Sequence, residues 1–225
     1  MRNTATGPGS ITEDGCAVDI YRRLAAAGEP EIIHGAIPPG ATILELGAGA
    51  GRITHPLIEL GHRVTAVDSS AEMLAEISGA EKVHAKIEDL ELARTFDAVI
   101  LGSCLINTPH SAERAALLAT CRRHVSDSGV VLIERYIPYN LQNAKDGLLE
   151  DRDGIRCSLV NVVVDGNRFS ATIVYETVEA TWTQSFLAII LAQDVLADEL
   201  SRSALRFCQW LDDRQSWLSA MAVMS

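Results

Sequence analysis

This 225-residue chain has no apolar run of the roughly 18–20 residues that a membrane-crossing helix needs, so no membrane partner is expected. Met1 to Ser10 is polar, with glycine and proline where a signal peptide would carry an apolar core. Residues 1–15 therefore read as a flexible tail, and the protein as cytoplasmic. Basic residues are in deficit, 19 Lys and Arg against 30 Asp and Glu. The resulting net charge of −11 disfavours a nucleic-acid partner, which would need a basic footprint. The paired arginines Arg22-Arg23 and Arg122-Arg123 read as solvated helix faces. Cys16, Cys104, Cys121, Cys157 and Cys208 lack any Cys-x-x-Cys pairing, which suits reduced thiols. His34, His62, His84 and His124 show no ligand spacing, so no metal site is expected.

What the chain does have is a core-sized share of hydrophobic residues, 48%, and one dense motif. Ile43-Leu44-Glu45-Leu46 runs into Gly47-Ala48-Gly49-Ala50-Gly51, and the next apolar run, Val64 to Val67, closes on Asp68. A strand, a glycine turn and an acidic residue ending the next strand describe a crossover unit that holds a nucleoside-bearing cofactor. Gly47, Gly49 and Gly51 permit backbone angles and close approach that a Cβ would block. Asp68 can accept hydrogen bonds from both hydroxyls of a ribose. A dinucleotide fingerprint wants Gly-x-Gly-x-x-Gly, yet counting from Gly47 puts Arg52 at the last glycine and counting from Gly49 puts Thr54 there. A pyrophosphate reader fits poorly.

The row Glu45, Gly47, Gly49, Gly51 resembles motif I of the class I S-adenosylmethionine-dependent methyltransferases, of the small-molecule type. Asp68-Ser69-Ser70-Ala71-Glu72-Met73-Leu74 is similar to that family's stretch after the second strand, Phe96 to Leu101 to its fourth strand, and Ser128 to Ile133 to its fifth. The resemblance covers roughly residues 43 to 134 in the expected order. It implies S-adenosylmethionine as cofactor and S-adenosylhomocysteine as product. It further implies that Glu45 and the loop Gly47, Ala48, Gly49 and Gly51 hold the methionine portion, that Asp68 binds the ribose, and that Ser69 and Met73 flank the adenosine. In the family pattern after the third strand Lys86 stands where Asp is expected, which leaves Ile87 and Glu88 as candidates for the adenine. Ser103 and Leu105 fall on the family's loop under the sulfonium. Tyr21 matches an aromatic that related enzymes place against the cofactor, and reads equally as a packing residue.

Hydrophobic periodicity supports an α/β, Rossmann-like doubly wound sheet of seven strands ending in an antiparallel hairpin. Strands are expected at Thr42 to Leu46, His62 to Val67, Lys82 to Ala85, Phe96 to Leu101 and Val130 to Glu134, with helices at Cys16 to Ala27, Arg52 to Leu60, Ala71 to Ile77 and Ser111 to Val125. After the fifth strand, Ile155 to Val164, Arg168 to Glu176 and Thr181 to Leu191 carry no intervening helix, and Asp165-Gly166-Asn167 marks a hairpin. Residues 152–192 are thus read as an antiparallel meander inserted in a single domain spanning residues 1–225, covering the substrate site. A helix near Asp194 to Ala204 and the pair Leu205 to Leu211 and Trp217 to Met224 complete the expectation. Exposed meander edges could pair two chains as a homodimer.

Catalytic candidates are His110, just beyond the fourth strand, and Tyr136, just beyond the fifth, where strand ends open into the ligand crevice. Pro109-His110-Ser111 also reads as a helix start with Ser111 as N-cap. Glu134-Arg135 reads either as an anchor for a charged acceptor or as an internal ion pair, and His55 as support for the glycine loop. Trp182, Trp210 and Trp217 read as packing, with Tyr175 or Trp182 as alternative lining for an aromatic-tolerant pocket. The reading favoured overall is methyl transfer to an oxygen or nitrogen of a small-molecule acceptor. A fold member that binds the cofactor without transferring methyl groups, a nicotinamide-dependent oxidoreductase, and a protein or nucleic-acid methyltransferase remain open.

Overall fold

The computed structural model describes residues 4–223. Among these, strands β1 (Thr4–Thr6), β2 (Thr42–Leu46), β3 (Arg63–Asp68), β4 (Glu81–His84), β5 (Phe96–Leu101), β6 (Val125–Glu134), β7 (Gly147–Arg152), β8 (Ile155–Asp165), β9 (Arg168–Glu176), β10 (Thr181–Ile189), β11 (Leu205–Trp210) and β12 (Trp217–Ala222) form two sheets. Helices are α1 (Val18–Tyr21), α2 (Glu29–Ala36), α3 (Thr54–Glu59), α4 (Ala71–Ala75), α5 (Ser111–His124), α6 (Pro138–Gln142) and α7 (Gln193–Arg202).

The larger sheet has the order β11-β12-β6-β5-β2-β3-β4, with β4, β3, β2, β5 and β6 parallel and the β11–β12 hairpin antiparallel to β6. Its central strands are apolar on both faces because helices cover both. Leu44, Leu46, Val99 and Leu101 pack towards α5 and α7, while Ile43, Ala98 and Ile100 pack towards Ile33 of α2 and Leu57 of α3. The chain runs outward from β2 through β3 to β4 and then returns to β5 on the other side of β2. That reversal opens a crevice at the carboxyl ends of β2 and β5, the usual ligand position in such sheets.

The second sheet, β1-β10-β9-β8-β7, is antiparallel throughout. The hairpin at Gly166-Asn167 joins Asp165 to Arg168 in register. One face buries Phe169, Ala171 and Ala188 with Leu141 and Leu159, and also Tyr175 and Trp182 with Ala17 and Ile20. Two boundaries of the covering sheet differ from the sequence reading. The meander begins at Gly147, not residue 152, because the fully exposed strand β7 lacks the alternation that marks β8 to β10. Residues 4–15 are not a free tail: Thr4 to Thr6 pair with Thr183 to Ser185, and the Pro8 carbonyl accepts from Trp182 Nε1 at 2.8 Å. A polar composition reads as solvated, but it cannot show that β10 leaves an unpaired edge for that segment to fill. Residues 1–3 and Met224 lie outside the described residues.

Local corrections follow tertiary partners too. The N-terminal helix is only the single turn α1. The segment 125–129, expected to end α5 and turn, already belongs to β6, where a register shift between Phe96 and Ala98 of β5 accommodates Asp127-Ser128-Gly129.

Candidate active site

The glycine turn after β2 is built from left-handed backbone, with φ of +72° at Gly47, +56° at Gly49 and +90° at Gly51. A Cβ at Gly47 would lie 2.7 Å from Leu105 Cδ1, and one at Gly51 2.7 Å from His55 Cε1 and 3.0 Å from Ile77 Cγ1. Around Gly49, by contrast, nothing described lies within 4 Å of that position, so the turn leaves open space above its centre. The sequence reading had α3 begin at Arg52; it begins at Thr54. The loop donors largely point back at β3: Gly47 and Ala48 N–H both donate to Val67 O at 2.9 Å, and Gly49 N–H donates to Asp68 Oδ2 at 2.8 Å. Asp68 Oδ1 accepts from Ser70 N at 2.8 Å. Each carboxylate oxygen thus holds one backbone donor and retains capacity for another. Burial raises the Asp68 carboxyl above its ordinary range, and the Ser70 and Gly49 N–H groups pull it back.

A cavity of about 600 Å³ opens at this point, within the range of ligand sites. Gly47, Ala48, Gly49, Asp68 and Met73 line one side, and Ser103, Leu105 and His110 the loop after β5. Tyr136 and Tyr21 complete the sequence candidates that meet there. Others do not reach it. Glu45 is buried beneath the loop, accepting from Thr54 Oγ1 at 2.6 Å, and Gly51 faces His55. Ser69 is exposed, its carbonyl bonded to His84 Nε2 at 2.9 Å. Ile87 packs towards Gly47 from behind, and Glu88 is exposed on the neighbouring turn. His55 accepts from Ser78 N at 3.1 Å under the loop.

Sequence reasoning missed more than half of the lining. Thr12, Glu13 and Asp14 come from the supposed tail, Cys16 from just before α1, and Asn107, Gln184 and Phe186 from the loop and covering sheet. One signal was available. On β10, Trp182, Gln184, Phe186 and Ala188 share a face by two-residue alternation, and a glutamine amid those apolar residues needs a polar partner. Gln184 finds it in Tyr21, whose hydroxyl donates to Oε1 at 2.7 Å.

His110 is exposed at the rim and occupies the N-cap position of α5, making no side-chain cap; Ser111, expected there, is the first helical residue. Tyr136 is half-buried, its ring stacked on Phe186 with centroids 6.2 Å apart. Burial pushes its phenol well above the ordinary tyrosine range, so it stays protonated near neutrality. Glu134 and Arg135 form neither an anchor nor a pair with each other. Glu134 accepts from Ser103 N at 2.6 Å, whereas Arg135 donates to the carbonyls of Gln215 and Leu191 and lies 4.3 Å over the Trp210 ring. Trp182 is buried against the N-terminal segment, and Tyr175 meets Tyr21 edge-on behind the cavity wall.

Beneath the loop the charges are unbalanced. Arg52 pairs with Glu29, and Glu45 and Glu134 also lie within its field. Burial pushes Glu45 up to about 7, against the opposing pull of the Thr54 hydroxyl and Arg52. Because the folded chain holds a proton that the unfolded chain releases near 4.5, this carboxyl's stabilising contribution is full below 4.5 and is lost as pH rises to about 7. Glu45→Gln should therefore gain thermal stability over the parent between pH 5 and pH 8, measured as the difference in unfolding midpoint. A difference that stays flat with pH would remove the assignment.

Residues 44–133 match a family model described as a methyltransferase domain. Over that stretch the chain is similar to methyltransferase domains. The chain is 31% identical over 112 residues to cypemycin N-terminal methyltransferase of a Streptomyces species, covering 47% of this chain and 46% of that protein. It is 30% identical over 105 residues, 42% of each chain, to ubiquinone biosynthesis O-methyltransferase of Xanthomonas oryzae pv. oryzae strain PXO99A. Less than half the length of each of these two relatives is matched. The fold is shared more widely. A crystal structure of an S-adenosylmethionine-dependent methyltransferase from Clostridium acetobutylicum ATCC 824 superposes with a TM-score of 0.71 at 16% identity, over 90% of this chain and 95% of that one.

Proposed function

We propose that the protein transfers the methyl group of S-adenosylmethionine to an oxygen or nitrogen of a small-molecule acceptor. The observation that carries this reading is the cavity itself: Asp68 and the open cradle above Gly49 on one side, and the wall of β10 on the other. The residues present suit the cofactor. Asp68 has acceptor capacity left for ribose hydroxyls, and the surplus of buried carboxylates around Arg52 suits a ligand bearing an ammonium group. Glu45 acts there through the loop, and Met73, Ser103 and Leu105 line the cofactor path with Tyr21 above. Ser69, Ile87 and Glu88, expected near the adenosine, lie on the segments after β3 and β4 without lining the cavity. A pyrophosphate is disfavoured, since the loop N–H groups it would need are committed to Val67 O and Asp68.

When bound, S-adenosylmethionine supplies a methyl group that is already electrophilic on its sulfonium. The chain has to exclude water and hold an acceptor lone pair in line with it. The covering sheet supplies the exclusion and favours a small acceptor over a macromolecular one. Tyr136, neutral near pH 7, would orient the acceptor by hydrogen bonding, and His110 at the rim would take the proton that an oxygen acceptor must lose. A nitrogen acceptor need only be held neutral.

The direct test is calorimetric titration with S-adenosylhomocysteine beside NADH, after mass spectrometry has checked the purified protein for carried-over cofactor. Saturable binding of S-adenosylhomocysteine alone is expected. Binding of NADH alone would overturn the reading in favour of a dehydrogenase.

A further inference from the structure

Asn107 ends the short turn Leu105–Asn107 after β5 and is 1% exposed. Its side-chain amide joins two segments remote in sequence. Oδ1 accepts from the backbone N–H of Tyr136, just past β6, at 2.9 Å, and Nδ2 donates to the carbonyl of Ile189, the last residue of β10, at 2.8 Å. One planar group thereby ties together the loop under the cofactor, the strand end that carries Tyr136, and the covering sheet.

The loop it terminates is held by its surroundings. Ser103 and Cys104 both sit in left-handed backbone, at φ +53° and +54°, a conformation that non-glycine residues adopt reluctantly. The same loop touches the glycine turn, since Leu105 Cδ1 is the atom that a Cβ on Gly47 would meet. At its far end, Ile189 follows Phe186, Leu187 and Ala188, which line the cavity opposite Asp68. Only an amide presents one donor and one acceptor in this geometry. Aspartate would keep the acceptor for Tyr136 but turn a second oxygen on the Ile189 carbonyl, and leucine would satisfy neither group.

We propose that Asn107 is a positioning residue that couples the cofactor half of the cavity to the covering sheet, so that cofactor occupancy stiffens the acceptor wall of β10. The ligand named in this coupling rests on the methyl-transfer reading. The acceptor would then meet a wall already set at the reacting distance.

Hydrogen–deuterium exchange with and without saturating S-adenosylhomocysteine tests this without knowledge of the acceptor. In the native protein, binding should slow exchange both at residues 44–70 and in peptides spanning 184–190. In Asn107→Asp, with S-adenosylhomocysteine raised until calorimetry shows saturation of the variant, the slowing at 44–70 should persist while the slowing at 184–190 is lost. A purely structural role would lower the unfolding midpoint and leave that ligand-dependent pattern in place. Should the aspartate variant fail to fold, Asn107→Ser, too short to reach both partners, takes its part. Protection confined to 44–70 in the native protein, or protection at 184–190 that survives the substitution, overturns the proposal while the function stands. Absence of S-adenosylhomocysteine binding to the native protein instead overturns the function.

Discussion

Asp68→Ala should weaken S-adenosylhomocysteine binding by about 100-fold or more while the protein remains folded. The carboxylate stands at the end of β3 with one oxygen on Gly49 N–H and the other on Ser70 N–H, so its position is set before any ligand arrives. Hydrogen bonds to charged groups contribute about 1.5–3 kcal/mol each, and two ribose hydroxyls lost together correspond to roughly two to four decades in affinity. The substitution also frees two backbone donors, at a cost of about 1–2 kcal/mol in stability, because the site is half-exposed and water can replace the carboxylate. Calorimetry well below the unfolding midpoint separates the two effects. Asp68→Asn should fall between, since its amide nitrogen would face one of the two N–H groups. Native-like affinity in the alanine variant would mean that the ribose is held elsewhere.

Arg114→Leu should cost about 3–5 kcal/mol of stability, the largest effect expected outside the cofactor site. Arg114 is 4% exposed on the inner face of α5. Its Nε and Nη2 donate to the Glu199 carboxylate of α7 at 2.6–3.0 Å, and Nη1 donates to the Thr108 carbonyl at 2.7 Å. Removing the guanidinium strands a carboxylate whose side chain is only 14% exposed, and releases the loop that leads from Asn107 into α5. For a chain of this size the loss corresponds to roughly 10 °C in unfolding midpoint. The double variant Arg114→Leu, Glu199→Leu should recover most of it, because a buried pair replaced by apolar groups is often close to neutral. A single-variant loss under about 1 kcal/mol would show that solvent screens the pair.

The parts of the site legible in the sequence are those whose residues are close in the chain. Gly47, Gly49 and Asp68 belong to one crossover unit, where apolar periodicity sets the strands and the glycines mark the turn. Ser103 and Leu105 came from the family resemblance and His110 and Tyr136 from following strand ends, and the four line the cavity together. Glu45 and Gly51 belong to the same motif but lie beneath it. The direction a residue faces there depends on helix packing behind the loop, which spacing alone does not encode. Arg114 and Glu199 could not be paired in advance, since 85 residues separate them and charged helix residues are mostly exposed.

The alternation of strands and helices, the glycine turn with its acidic partner, and the hairpin-rich insertion were legible in the residues alone. These follow from local backbone preference and from apolar periods of two and 3.6 residues, which any contiguous segment displays. Folding alone brings Thr4 to Thr6 to complete the covering sheet, sets Gln184 against Tyr21, and has Asn107 join three segments over the cavity. Those contacts satisfy backbone edges and buried polar groups left over once the elements have packed. Which groups are left over depends on how distant elements meet, so the information does not exist until the chain has folded.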